Sequence, residues 1–250
     1  METPINYEQS QGIIAILDAL GAASFSDAEV TRFLEARSSV LESFEVKKGQ
    51  STVMSKDDIS TFTFNDTLVI VYSVDHVPNL REVKSFFMLI RKVLIDSLVN
   101  GILFRGSIAI GSFYKHDETN TIMGQAVTDA AAWYDKADWF GAHATPKATL
   151  VIDALLEKAR ENPKWIVTPY DVPFKDGAKW RLKTVNWPRG FFTSGVTPCA
   201  SGEREKAKLL ELLSSFAVPA GSQTKYYNSL RYYDVASKYK RLVPKKRTGG

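Results

Sequence analysis

Residues 12–20, GIIAILDAL, form an aliphatic run broken by a single acid, Asp18. A run this short and this rich in Ile fits a buried strand, which obliges the chain to build a sheet around it. The strand should stop at Asp18, because a carboxylate among buried aliphatics is costly unless it is paired or bound to a metal. Two readings of Asp18 stand at this point: it caps the turn that follows, or it holds a cation.

The rest of the chain supplies partners for that strand. Two β-rich runs, 59–64 and 67–73, flank Asn65-Asp66, a tight turn that would set Asp66 at a hairpin tip. Ser26 and Asp27 can cap a helix, with Val30, Phe33, Leu34, Val40 and Leu41 at helical spacing before the polar stretch 47–51. Asn79 predicts a second helix through Val99, closed by Asn100-Gly101. A strand at 102–113, a polar loop at 115–120, a short strand at 121–123 and an Ala-rich helix at 126–139 follow. Beyond Pro146 come a helix at 149–160, strands at 165–167 and 181–186, and helices at 202–216 and 223–240. This order predicts an α+β sandwich with helices on one face of a mostly antiparallel sheet.

With 250 residues, 44% of them hydrophobic, the chain can close one sizeable core. The expected division is a domain over 1–200 and a helical extension over 201–250 packed on the same domain, with a flexible basic tail at 238–250. No apolar run approaches the roughly 20 residues that span a bilayer, and no basic segment followed by an apolar run opens the sequence, so a cytoplasmic protein without a membrane partner is expected. The lone Cys199 excludes an internal disulfide and a Cys-rich zinc site. Much of the net charge of +4 lies in the tail, so no nucleic-acid partner is expected. His76, His116 and His143 are scattered without a nucleophile motif, so a hydrolase triad gains no support, and the absence of a GxxxxGK[ST] loop excludes a P-loop enzyme at the level of motif.

Asp66 bears on Asp18. If the first strand and the hairpin lie side by side, the two carboxylates meet, and like charges in proximity call for a cation. Such hard oxygen ligands suit magnesium or manganese. Arg105, in FRGSIAIG, begins a strand whose small members Gly106, Ser107 and Gly111 leave room for a bulky ligand. Its guanidinium either forks onto phosphate oxygens or makes a salt bridge at the strand end. Together the three residues suggest a metal-triphosphate site.

The succession IIAILDALG, FNDTLVIVYS, LFRGSIAIGSFY and IMGQAVTDAAAWYDKA resembles the class III nucleotidyl cyclases in order and spacing. Within that class it is similar to the pyrimidine cyclases of the bacterial anti-phage systems called Pycsar, a likeness that LKTVNWP and KYYNSLRYYD extend over most of the chain. The resemblance implies a ferredoxin-like, palm-like sandwich. It implies that Asp18 and Asp66, joined by the backbone carbonyl of Ala19, hold two divalent ions (Mn2+ or Mg2+), and that Arg105 binds phosphate. Backbone amides around Gly21 and Ala22 would cradle the triphosphate. The 3′-hydroxyl of UTP, or less readily CTP, would attack the α-phosphate and expel pyrophosphate. The resemblance further implies a homodimer with its sites at the subunit interface and a separate effector that senses the cyclic product.

The sequence also departs from that class. Purine cyclases carry a base-reading lysine four residues before the second metal aspartate, where this chain has Phe62, which either stacks on a base or packs in the core. The acidic purine-reading position falls near Thr121. Both changes favour a pyrimidine, and uridylate is preferred on the subfamily alone. An Asn and an Arg one helical turn apart are replaced by Thr128, which can still bond ribose, and Ala132, which cannot stabilise a phosphorane. Lys136, one turn beyond Ala132 on the expected helix, is the first candidate for the missing charge, ahead of Arg181 and Lys183; its other reading is an ordinary exposed lysine. A catalytically silent, nucleotide-binding module is the alternative function. A diguanylate-type enzyme lacks support, because the turn reads FNDT.

Overall fold

A computed structural model of the chain describes residues 8–21, 26–28, 30–31, 33–35, 38, 54, 56–116, 119, 121–193, 202–215 and 221–239. The aliphatic run becomes β1 (Glu8–Ala19), which lies inside an eight-stranded sheet. Its neighbours are β3 (Thr67–Val74), itself paired with β2 (Ile59–Phe64), and β4 (Phe104–His116). Beyond β4 the order continues through β6 (Gly141–Ala144), β8 (Lys179–Val185) and β7 (Val167–Pro173), while β5 (Thr121–Met123) pairs with the far end of β4. Every pairing is antiparallel except β4 with β6. The fold is thus α+β with a mostly antiparallel sheet.

Successive residues of β1 alternate between two apolar clusters, as the two-residue period of a strand requires. Ile13, Ala15, Leu17 and Ala19 enter a large core, and Ile14 and Ile16 enter a small one. Helix α1 (Leu80–Val99) packs on the first face through Val83, Phe86, Phe87 and Ile90, all 0% exposed. Its N-terminus carries a complete capping box between Asn79 and Glu82, so the expected start and length are both met. Helix α3 (Pro146–Ala159) shares that face, with Thr145 as N-cap and proline in its first turn.

The expectation of helices on a single face is corrected. Helix α2 (Gln125–Trp133) lies over β1 and β4 on the opposite face, where Ala126 and Ala130 meet Ile14, Ile16, Ala109 and Phe113. Helix α6 (Gln223–Ala236) is also on that side: Tyr232 bonds Thr184, which is in register with His143, itself in register with Ser107, the residue whose hydroxyl bonds Ala130 of α2. The large core reaches α6 through the short helix α4 (Trp187–Thr193), and α5 (Gly202–Ser214) adds Leu209 and Leu213 to it. The C-terminal helices therefore share one core with the sheet.

Other expectations shift locally. The Ala-rich helix ends at Trp133 rather than Trp139, because Ala137 is captured by a β-bridge to Phe174 and the Asp138 amide donates to the Pro173 carbonyl, 2.8 Å. Lys136 thus stands in the turn beyond the helix and does not continue the Ala132 face. Strand β7 starts at Val167, not Trp165, since Ile166 and Val167 donate to the Pro163 carbonyl in a turn. Helix α3 starts at its capped proline, three residues before the expected Thr149. Of the helix expected after Ser26, the described positions between 27 and 38 are helical, and the Val30 amide donates to Ser26 at 2.9 Å. Ala22, Cys199 and residues 240–250 lie outside the described residues. Among the described residues, no helix is long and apolar enough to cross a membrane.

Candidate functional site

Asp18 continues the phase of Ile14 and Ile16, so its side chain emerges on the α2 face at the end of β1. In register it faces Thr67 on β3 and Arg105 on β4. The β2–β3 turn sets Asp66 next to Thr67, and Asn65 makes that turn by adopting a left-handed φ of 51°. A backbone bond locks the two acidic positions together: the Ala19 amide donates to the Asp66 carbonyl at 3.1 Å. The sheet therefore brings Asp18, Ala19, Asp66 and Arg105 to one corner.

Arg105 donates to Asp18 Oδ2 through Nε (3.1 Å) and Nη2 (2.9 Å). The pair is well screened from water, with side-chain exposures of 12% for Arg105 and 16% for Asp18. Burial pushes the Asp18 carboxyl above its usual range; the Arg105 bond and charge pull it down, and Asp66 and Asp135 push it further up. Among the described residues, one atom on each side of this pair is left over. Arg105 Nη1 is buried without a partner, and Asp18 Oδ1 accepts no hydrogen bond. β1 and β4 approach so closely here that a Cβ on Gly106 would lie 2.1 Å from the Ile16 carbonyl oxygen, which fixes the strand carrying Arg105.

Two residues that sequence reasoning missed complete this corner. Tyr134, the C-cap of α2, packs against the small core, and its phenol is pushed up by burial and then by Asp18 and Asp135. Asp135 follows it, 3.8 Å from Lys136 and 3.7 Å from Lys175. The available signal was WYDKA directly after the Ala-rich run, hidden by the expectation that the helix continues through it.

Of the remaining predicted residues, Phe62 and Thr121 lie away from this corner. Phe62 is 7% exposed and packs in the small core with Ile14, Ile16 and Val71, which leaves little ring surface for stacking. Thr121 pairs with His116 and so sits eleven residues along the sheet from the Arg105 position, on the order of 35 Å at strand rise. Within one chain it cannot share a ligand with Asp18. Thr128 and Ala132 are exposed on α2. Gly21, at φ 87°, turns the chain out of β1. Lys136 lines an open concavity of about 540 Å³ with Lys175, Trp133, Phe174 and Trp180.

The donor set suits a hard divalent ion: two carboxylates, one with a free oxygen, beside a backbone carbonyl. It is a sparse set, because among the described residues no three His, Cys, Asp or Glu side chains gather closely enough to hold a metal. No family model and no curated protein matches the chain. Among solved structures, it is similar to the catalytic core of a rhodopsin-guanylyl cyclase with converted specificity in complex with ATPαS, at 12% identity and a TM-score of 0.46, covering 72% of this chain and 98% of that one.

Proposed function

We propose that the chain is a pyrimidine nucleotide cyclase that converts UTP, or less readily CTP, to the 3′,5′-cyclic monophosphate and pyrophosphate. The observation that carries this reading is the corner where Asp18 and Asp66 are tied by the backbone and Arg105 keeps a buried Nη1 unpaired. Asp18, Asp66 and the Ala19 carbonyl would hold Mn2+ or Mg2+, two ions per site. Bound there, the ions would acidify the 3′-hydroxyl and neutralise charge on the departing pyrophosphate. Arg105 Nη1 has the chemistry to donate to a phosphate oxygen, and the resemblance assigns the rest of the triphosphate to backbone amides around Gly21 and Ala22.

The separation of Thr121 from Asp18 supports a homodimer, since a residue so far along β4 can serve the site only from a second copy. A cytoplasmic protein whose product activates an effector in anti-phage defence follows from the resemblance to the Pycsar cyclases, as does the reading of 1–200 as the catalytic domain and 201–250 as its extension.

A silent nucleotide-binding module is favoured by one observation: Asp18 and Arg105 already neutralise each other. The two readings separate on incubating the purified chain with each of the four nucleoside triphosphates and manganese and resolving the products by mass. A cyclic pyrimidine monophosphate supports the cyclase, and no cyclic product from any of them rejects it. Asp66→Ala should lower turnover at least about a thousandfold while the melting temperature holds, because a turn carboxylate contributes little to the core. Retained turnover removes Asp66 from the metal site.

A further inference from the structure

Helix α2 travels along β4 towards the candidate site, and three contacts mark its course. Gly124 stands so close to Phe113 that a Cβ there would be 2.7 Å from the Phe113 Cα. Further on, the Ala126 Cβ lies 3.7 Å from where a Cβ on Gly111 would be. One turn later the Ala130 carbonyl accepts from Ser107 Oγ at 2.7 Å. Each step of the helix thus corresponds to an earlier position of β4: Phe113, then Gly111, then Ser107.

The next turn brings Tyr134, whose amide donates to Ala130 at 3.1 Å, and the next position of β4 on this face is Arg105. Tyr134 rests its ring on the small core, on the side where Ile14 and Ile16 lead into Asp18. Its hydroxyl makes no hydrogen bond among the described residues. Tyr134 and Arg105, each with a donor that has no partner, thus stand at neighbouring positions of this face, near enough that the charges of Asp18 and Arg105 act on the phenol, and Asp18 Oδ1 also accepts no hydrogen bond. A neutral phenol beside a guanidinium is suited to an anionic oxygen that needs a further donor.

We propose that Tyr134 contacts the substrate, donating its hydroxyl proton in a hydrogen bond to a phosphate oxygen of the triphosphate that Arg105 also holds. This rests on the cyclase reading and deepens it: the donor absent at Ala132 is supplied from the end of the same helix, by the chain that carries Asp18. No proton leaves the phenol and no bond to phosphorus involves it.

The test compares wild type, Tyr134→Phe and Tyr134→Leu, using manganese and whichever triphosphate wild type turns over. The expected result is a kcat about ten- to a hundredfold lower for both variants, with KM changed less than about threefold and the Phe variant melting with wild type. A ring that merely packs gives the opposite pattern, with Phe equal to wild type and Leu impaired, and overturns the inference while the cyclase reading stands. If wild type yields no cyclic product, the cyclase reading fails and Tyr134 is judged by binding of the same triphosphates with manganese in equilibrium dialysis. There, Tyr134→Phe weakening affinity about fivefold or more supports the contact; equal affinity, or no binding by wild type, overturns it.

Discussion

The two cores of the molecule differ in how they are closed. The large one has a helical wall on the first face, α1 and α3, and wraps around the sheet to α6, enclosing Trp139, Trp187, Tyr232 and Phe86 at 1% exposure or less. The small one is a single layer under α2, and its helix contributes only the methyl groups of Ala126 and Ala130 as fully covered apolar contacts. Phe64, at the rim of the same face beside Asp66, is 83% exposed. Apolar burial stabilises by about 25 cal/mol per Å², so most of the folding free energy must reside in the large core. The candidate site sits at the end of the thin one. The helix over it is held at a few points, by the hydroxyls of Ser107 on Ala130 and of Thr145 on Asp129 and by Trp133 against Phe174 and Trp180.

The sharpest challenge to this contrast is a pair of truncations read by urea denaturation. Phe86→Ala should cost about 3–5 kcal/mol, because α1 is held from all sides and leaves a cavity. Phe62→Ala should cost clearly less, since water and α2 can relax into the gap. Equal losses would erase the distinction between the cores.

A second measurement probes the seam between them. His143 is fully buried on β6, in register with Ser107 and Thr184, with its ring 5.7 Å from Phe174. Its Nδ1 lies 3.0 Å from the Ala144 carbonyl and its Nε2 has no partner, and burial lowers the imidazole from 6.5 to about 4. The folded state therefore binds fewer protons than the unfolded one between these values. Its stabilising effect is complete above pH 6.5 and declines as pH falls towards 4, by roughly 3 kcal/mol in all. His143→Gln should flatten that slope in urea midpoints taken from pH 7 to pH 4.5; an unchanged slope would place the titration elsewhere.

The smallest expected effect sharpens the comparison instead of threatening it. Ala130→Leu should cost only about 1–3 kcal/mol through overpacking against β4. It should nonetheless depress turnover more than Phe86→Ala does at a temperature where both are folded, because it displaces Tyr134 from the Arg105 end of the strand. A loss in activity no greater than that of Phe86→Ala would remove α2 from the working parts.

The legible parts of the fold are those whose signals are local. Asn79 with Glu82 marked the start of α1, and Asn65-Asp66 marked the turn that carries the second carboxylate, because caps and turns are decided by a few adjacent residues. The adjacency of Asp18 and Asp66 followed from the hairpin lying beside β1. What escaped was decided at a distance. β6 is Gly-Ala-His-Ala, with no β-branched residue, and is a strand only because β4 and β8 lie on either side of it. β7 was obscured by Pro169 and Pro173, which are tolerated since it is the last strand of the sheet and pairs only with β8. The sequence pattern of α2 announced a helix but not which side of the sheet it would take, and its end was set by the bridge from Ala137 to Phe174. Asp135 and Tyr134 were hidden for that reason.

The parallel alignment of β6 with β4 has a mechanical outcome. Two strands running the same way cannot be joined by a hairpin, so the polypeptide has to return across the sheet between them, and α2 is part of that return path. Tyr134 is therefore anchored to the backbone upstream through β4 and downstream through β6, which restrains it like a bridge deck fixed at both abutments. Severing the return path by circular permutation would leave every side chain of the corner in place and release only the tether, isolating what restraint alone contributes to turnover.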